Sequence, residues 1–433
     1  VLVSALDVLG GLAVRAWRCL RPPTRVESPQ RILLVQLDHL GDAVLSTPML
    51  ARLRHAFPAA RIDVLASASN RAVFEAAREV DQVHVAERNW FERRPAGWAL
   101  GSAVWSLGRR LRRERYDLGI DVRGDILSIA VLALAGIPRR VGWSMGGGGF
   151  LLTDIAPWVP GRHEVQARLA LLDCLNLAPS PEVPRVSIGV DDADRATVAR
   201  LWADAWPASL PRPTRSRPQR ALRVRTEGSV ATGFTGSRLM LPQPIRAAEA
   251  EGDALHAGRF GSPTPLLAVH LGAGTAAKRW PLPHWESLIA RFLRDGWRVV
   301  VIGGPEEAAL RLRLTHAQLR DWTGLLTVPQ TTALLERADL FLGADSGPAH
   351  LAAAAGVPSV ILFSGTNRVA QWRPWSRHAL VLRHRVPCAP CHRKICPLAD
   401  HPCLAGLSPE RVHRAARRWW ARLHHHEAPH PPL

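Results

Sequence analysis

Ala338-Asp339-Leu340-Phe341-Leu342-Gly343-Ala344-Asp345-Ser346-Gly347-Pro348-Ala349-His350-Leu351-Ala352-Ala353-Ala354-Ala355-Gly356-Val357-Pro358-Ser359-Val360-Ile361-Leu362-Phe363 is the stretch that decides the fold. An apolar run to Ala344 is followed by a polar turn, a helix of small residues and a second apolar run. Strand, turn, helix and strand in that order make a parallel α/β unit. Ligands of such sheets bind beyond the carboxyl ends of the strands, where this turn lies. The helix start offers free N–H groups and a positive dipole end, which suit an anion such as a diphosphate. Asp345 and Ser346 are equally suited to capping the helix.

Outward from this unit, the C-terminal half continues the pattern. Leu266 to Leu271 is a strand, and Gly272-Ala273-Gly274-Thr275-Ala276-Ala277-Lys278-Arg279-Trp280-Pro281 is the turn after it. A helix from His284 to Arg294 and a strand from Trp297 to Ile302 come next, ended by Gly303-Gly304-Pro305. Ser408-Pro409 starts a last helix, with Ser as N-cap and Pro in the first turn. The N-terminal half repeats the plan from Arg31. Arg31 to Leu37 is a buried strand, Asp38-His39-Leu40-Gly41-Asp42 a turn, Ala43 to Phe57 a helix shifted locally by Pro48, and Arg61 to Ala66 the second strand. Tyr116 to Val122 is a later strand with Arg123 and Gly124 in its loop, and Gly146 to Gly149 is a flexible turn.

These readings divide the chain into an amphipathic N-terminal segment (1–30), a Rossmann-like domain (31–204), a Pro- and Arg-rich linker or disordered insertion (205–263), a second Rossmann-like domain (264–405) and a C-terminal helix and tail (406–433). A length of 433 residues agrees with two cores. The formal charge is +19, yet all but two of the 56 basic residues are Arg, spread along the chain. No zinc-finger spacing, RNA-binding signature or basic heptad region accompanies them, so nucleic acid is not the expected partner. The apolar run Val8 to Val14 is too short to span a bilayer and lacks a cleavage site. It fits an amphipathic anchor or a packing helix, in a protein expected inside the cell.

Four separated motifs occur in a fixed order: Leu33 to Pro48, including Gly41-Asp42; Gly272-Ala273-Gly274 leading to Lys278-Arg279-Trp280-Pro281; Gly303-Gly304; and Asp345 to Leu351. Over residues 31–405 the chain resembles the heptosyltransferase family of lipopolysaccharide biosynthesis, glycosyltransferase family 9. The resemblance implies a GT-B architecture, two Rossmann-like domains with the site in the cleft between them. It also implies inverting transfer of heptose from ADP-heptose to a hydroxyl of a lipid A–core acceptor, without a catalytic metal or cofactor, at the cytoplasmic surface of the inner membrane.

An inverting transfer needs a base for the acceptor proton and a stabiliser for the departing diphosphate. Asp42, a carboxylate in a strand-to-helix turn, matches the family's catalytic aspartate; the plainer role is an N-cap. Lys278 supplies a compact ammonium for the diphosphate, in a chain that otherwise uses Arg nearly everywhere. Gly272, Gly274, Thr275, Gly303 and Gly304 fall on the donor side, as do Asp345 for the donor sugar and Ser346 and Gly347 for the phosphates. Ser346 replaces a Thr common among relatives and keeps its hydroxyl. His350 belongs to the same motif, on the donor side, and reads more naturally as bonding backbone at the turn than as an acid. Gly41 and Arg123 are assigned to the acceptor, Arg123 being also a candidate for a surface ion pair; His39 has no assigned role.

Cys388, Cys391, Cys396 and Cys403 form a cluster near His392 and His401, whereas Cys19 and Cys174 are isolated. Inside a cell such spacing suits a four-thiolate metal site more than two disulfides, and the resemblance implies a structural zinc or iron there, with a loop of reduced thiols as the alternative. So late in the chain it does not read as the catalytic centre. Two other functions remain open at this point: transfer from another nucleotide sugar or to a protein, and a non-catalytic sugar-nucleotide scaffold.

Overall fold

A computed structural model describes residues 26–86, 97–177, 184–207 and 264–425. Most of the expected N-terminal segment, nearly all of the 205–263 insertion and the tail from 426 lie outside the described residues. In the first domain β1 (Arg31–Gln36), β2 (Arg61–Ser67), β3 (Gln82–Ala86), β4 (Leu118–Asp121), β5 (Arg139–Gly142) and β6 (Asp154–Ile155) alternate with α1 (Leu40–Ala56), α2 (Arg71–Glu75), α3 (Gly97–Arg112), α4 (Ile126–Leu134) and α5 (Glu164–Leu171). Helix α6 (Asp192–Ala205) follows. The second domain holds β7 (Leu266–His270), β8 (Arg298–Ile302), β9 (Leu319–Asp321), β10 (Leu340–Ala344), β11 (Ser359–Phe363) and β12 (Ala379–Arg383). Its helices are α7 (Leu282–Arg294), α8 (Val328–Arg337), α9 (Gly347–Ala354), α10 (Val369–Trp372), α11 (Pro402–Ala405) and α12 (Pro409–His425).

Both sheets are wholly parallel and carry the same strand order. The first runs β3-β2-β1-β4-β5-β6, and the second, read from its other edge, β9-β8-β7-β10-β11-β12. Each order reverses next to its first strand, between β1 and β4 and between β7 and β10. These are the crevices where open α/β sheets bind ligands. The strands flanking the crevices, such as Ile32 to Val35 and Leu340 to Leu342, are fully buried, as sheets covered on both faces require.

Helix α1 begins at Leu40, earlier than its apolar periodicity suggests, with His39 rather than Asp42 at the N-cap. Pro48 lies inside it and cannot donate to the Val44 carbonyl; the Thr47 hydroxyl takes that carbonyl at 2.9 Å, and the helix continues. Helix α9 starts with Pro348 in its first turn and ends before Gly356, whose φ of +65° suits a residue without a Cβ. Ser408 caps α12 as expected, accepting from the Arg411 N–H.

The two domains are in contact. Buried side chains of α1 and α9 join one apolar cluster that runs from the first sheet into the second. Helix α6 reaches across to α8, with Arg195 Nε 3.2 Å from Glu336 and the rings of Trp206 and Trp322 6.3 Å apart. Among the described residues no helix is long and apolar enough to cross a membrane.

Candidate active site

The start of α1 carries the first half of the site. Asp42 stands in its opening turn and is not a cap: its Oδ1 lies 2.9 Å from Arg168 on α5. Arg168 is only 2% exposed and also reaches Glu164 at 2.6 Å. The second carboxylate oxygen of Glu164 accepts from Gln371 on α10 of the other domain at 2.7 Å. A buried guanidinium therefore ties the candidate base to the interdomain contact.

Asp38, at the end of β1, pairs with Arg123 at 2.9 Å. Burial and the neighbouring Asp42 push its carboxyl up to about 7, against the charges of Arg123 and Arg168. Asp121, fully enclosed at the end of β4, is likewise raised to about 7 by burial and accepts from the Gly124 N–H, which fixes the turn bearing Arg123. Arg123 also pairs with Asp125, a second carboxylate of its own domain.

The second half of the site lies at β7 and β10. Lys278 Nζ is 2.8 Å from Asp345, which also accepts from Asn367 at 2.8 Å. Gly274 opens on free space, and the buried Thr275 hydroxyl has no hydrogen-bond partner. Ser346 is the N-cap of α9, but its hydroxyl turns to His270 and the Ala344 carbonyl, both at 3.2 Å. Glu307 covers the glycine loops: a Cβ on Gly272 or Gly303 would collide with its carboxylate.

Helix starts α1 and α9 meet face to face. A Cβ on Gly41 would lie 2.8 Å from the His350 ring, and one on Gly347 2.8 Å from Leu40. These two glycines let the two helix starts touch. His350 is enclosed in that contact, and burial with the nearby charges of His163, Lys278 and Arg168 lowers it to about 3. Its imidazole is neutral at physiological pH. His163 bridges the same interface, its Nε2 2.8 Å from the Arg373 carbonyl.

His39 is lowered by burial and by the charges of Lys278, Arg123 and Lys394, against Asp42. Both lysines of the chain thus border the start of α1. Lys394 belongs to the cysteine loop, whose backbone is held by other partners. The Ala277 N–H bonds to the Lys394 carbonyl at 3.0 Å, the Ala277 carbonyl meets His401 at 3.0 Å, and the Cys391 N–H reaches Gly365 at 2.8 Å. The loop therefore buttresses the Lys278 turn, nearer the site than its place in the chain suggests. Its four thiols are free, ranging from exposed Cys388 to buried Cys403. Among the described residues no group of three or more His, Cys, Asp or Glu side chains is gathered to hold a metal ion, so as placed they do not fit the expected four-thiolate site.

Sequence reading missed Arg168, Glu164, Asp38, His270, Glu307 and Lys394. The rarity of lysine was the signal for Lys394, but nothing marks Arg168 among 56 basic residues.

Two doubly wound parallel-sheet domains that meet at their helix starts make a GT-B fold. Residues 104–401 match the model of glycosyltransferase family 9 (heptosyltransferase), more than half of the chain. The chain belongs to that family of transferase enzymes. It is 28% identical to lipooligosaccharide heptosyltransferase 2 of Campylobacter jejuni over 37% of its length and 52% of the relative's, so it spans about half of that relative. It is 24% identical to lipopolysaccharide heptosyltransferase 2 of Escherichia coli K12, over 88% of this chain and 96% of the other. The solved structure of the E. coli ADP-heptose lipopolysaccharide heptosyltransferase II superposes with a TM-score of 0.64 at 20% identity, covering 91% of this chain and 99% of that one.

Proposed function

We propose that this protein transfers a heptose from ADP-heptose to a sugar hydroxyl of the lipopolysaccharide inner core, with inversion. The observation that carries the reading is the apposition of Asp42 on α1 to the Lys278–Asp345 pair beside α9, across Gly41 and His350. The Asp42 carboxylate takes the acceptor O–H proton as that oxygen attacks the anomeric carbon. The bond to the diphosphate breaks on the opposite face, and the electron pair leaves with ADP. Lys278 and the α9 N–H groups meet the charge that develops on the departing phosphate, the task a divalent ion would otherwise have. Asp345 holds Lys278 until the donor arrives and then faces its sugar. The family name of the relatives and the ADP-heptose named for the E. coli neighbour support this donor. A lipid-linked acceptor places the protein at the cytoplasmic surface of the inner membrane, in keeping with its +19 charge.

The test is product formation from ADP-heptose and heptose-deficient lipid A–core, with UDP- and GDP-sugars as competitors. Transfer confined to ADP-heptose is expected; transfer from another sugar nucleotide, or none to this acceptor, refutes the assignment. Lys278→Ala weakens ADP binding by about ten- to a hundredfold, the worth of one charge-assisted contact, as calorimetry would read it.

A further inference from the structure

One short segment of the second domain touches both halves of the site. It leaves the carboxyl end of β11, runs through Asn367 into α10, and carries two side-chain amides. Asn367 Nδ2 donates to Asp345 Oδ2 at 2.8 Å, the same oxygen that faces Lys278. Gln371 Nε2 donates across the domain interface to Glu164 Oε1 at 2.7 Å. The crossing is held beside it by His163, whose Nε2 lies 2.8 Å from the Arg373 carbonyl, and by Trp375, whose indole N–H donates to the Pro184 carbonyl at 2.8 Å. On the other side the His392 N–H donates to the Thr366 carbonyl at 3.1 Å.

Beyond Glu164 the line continues to the base. Arg168 Nη1 donates to Glu164 Oε2 at 2.6 Å and Nη2 to Asp42 Oδ1 at 2.9 Å, while the buried Nε has no partner. A guanidinium divided between two carboxylates is not in its strongest arrangement. A carboxylate with both oxygens available grips a guanidinium bidentately, through two parallel bonds. The two forks of the guanidinium are Nη1 with Nη2 and Nε with Nη2, and both contain the nitrogen that holds Asp42. Glu164 closes neither fork, because its second oxygen is occupied by Gln371. Glu164 is buried, so an emptied Oε1 is costly to leave unpaired, and the guanidinium beside it has an unused N–H.

We infer that Gln371 positions the catalytic base from the opposite domain: by occupying Glu164 it leaves Arg168 Nη2 to Asp42 and fixes that carboxylate for the acceptor hydroxyl. The inference rests on Asp42 being the base, as proposed above. Gln371 acts on Asp42 only through Glu164 and Arg168, and is a positioning residue. Because Asn367 and Gln371 share one segment, the Lys278–Asp345 pair and the base have a common support, and the base is aligned only when the two domains are docked.

The experiment is steady-state transfer from ADP-heptose to heptose-deficient lipid A–core by the full chain, paired with ADP titration, over a double-mutant cycle of Gln371→Leu and Glu164→Gln. Gln371→Leu lowers kcat by about ten- to a hundredfold, the cost of a misplaced catalytic group, and leaves ADP affinity within about threefold of wild type. In a Glu164→Gln background the same change costs less than about threefold, because an amide has one acceptor oxygen and cannot close a fork on Arg168. A Gln371 that merely held the domains together would cost the same factor in both backgrounds. That result overturns the inference, as does wild-type turnover in Q371L. Should Q371L fail to fold, Gln371→Asn keeps the polarity, falls one methylene short of Glu164 and goes through the same cycle with the same two outcomes. The parent reading fails separately. Wild-type turnover in Asp42→Asn removes the base, and no transfer by wild type removes the reaction, each taking the inference with it. An inactive Asp42→Asn beside a fully active Q371L removes only the role of Gln371.

Discussion

Asp42→Asn lowers kcat by about two to four orders of magnitude, the range over which general bases contribute, and leaves ADP affinity within about threefold of wild type. Asparagine keeps the size of the side chain and an oxygen for Arg168, so the 2.9 Å contact survives while the proton acceptor is lost. Steady-state kinetics on the acceptor, paired with ADP titration, separates the two effects. Turnover equal to wild type would sink Asp42 as the base. A parallel loss of ADP affinity would instead assign it a structural part in holding α1 against α9.

The second large effect concerns the cation behind that base. Arg168→Ala leaves two carboxylates, Asp42 and Glu164, facing a buried space without their shared guanidinium. Removing one side of a buried ion network costs about 3–5 kcal/mol, because the charges left behind stay desolvated. Urea denaturation reads this directly. Arg168→Lys restores the charge but not the fork that grips both partners, and recovers only part of the loss. Combining Arg168→Met with Glu164→Gln costs less than the two changes added, since each removes the other's stranded charge. An Arg168→Ala protein as stable as wild type would mean that the guanidinium is not what holds Asp42.

Much of the fold was legible because buried parallel strands advertise themselves. Ile32 to Val35, Leu266 to Val269 and Leu340 to Ala344 are unbroken apolar runs, and each is followed by the polar turn that a switch point requires. The motif residues Asp42, Lys278 and Asp345 stand at those turns. What sequence could not give was pairing across elements. Arg168 lies 126 residues from Asp42, and in a chain this rich in arginine one more carries no signal. His270 read as one more residue of a strand ending at Leu271, and its contacts appear only when Glu307 and Ser346 arrive from two other loops. The cysteine spacing suggested coordination, and among the described residues no group of side chains gathered to hold a metal ion supports it.

The placement of the two lysines has a chemical corollary. On most proteins a reagent that acylates side-chain amines scatters over dozens of surface positions. Here the whole side-chain amine inventory is Lys278 and Lys394, both within electrostatic reach of His39. The same reagent then reports, through its side-chain targets, on the neighbourhood of the start of α1.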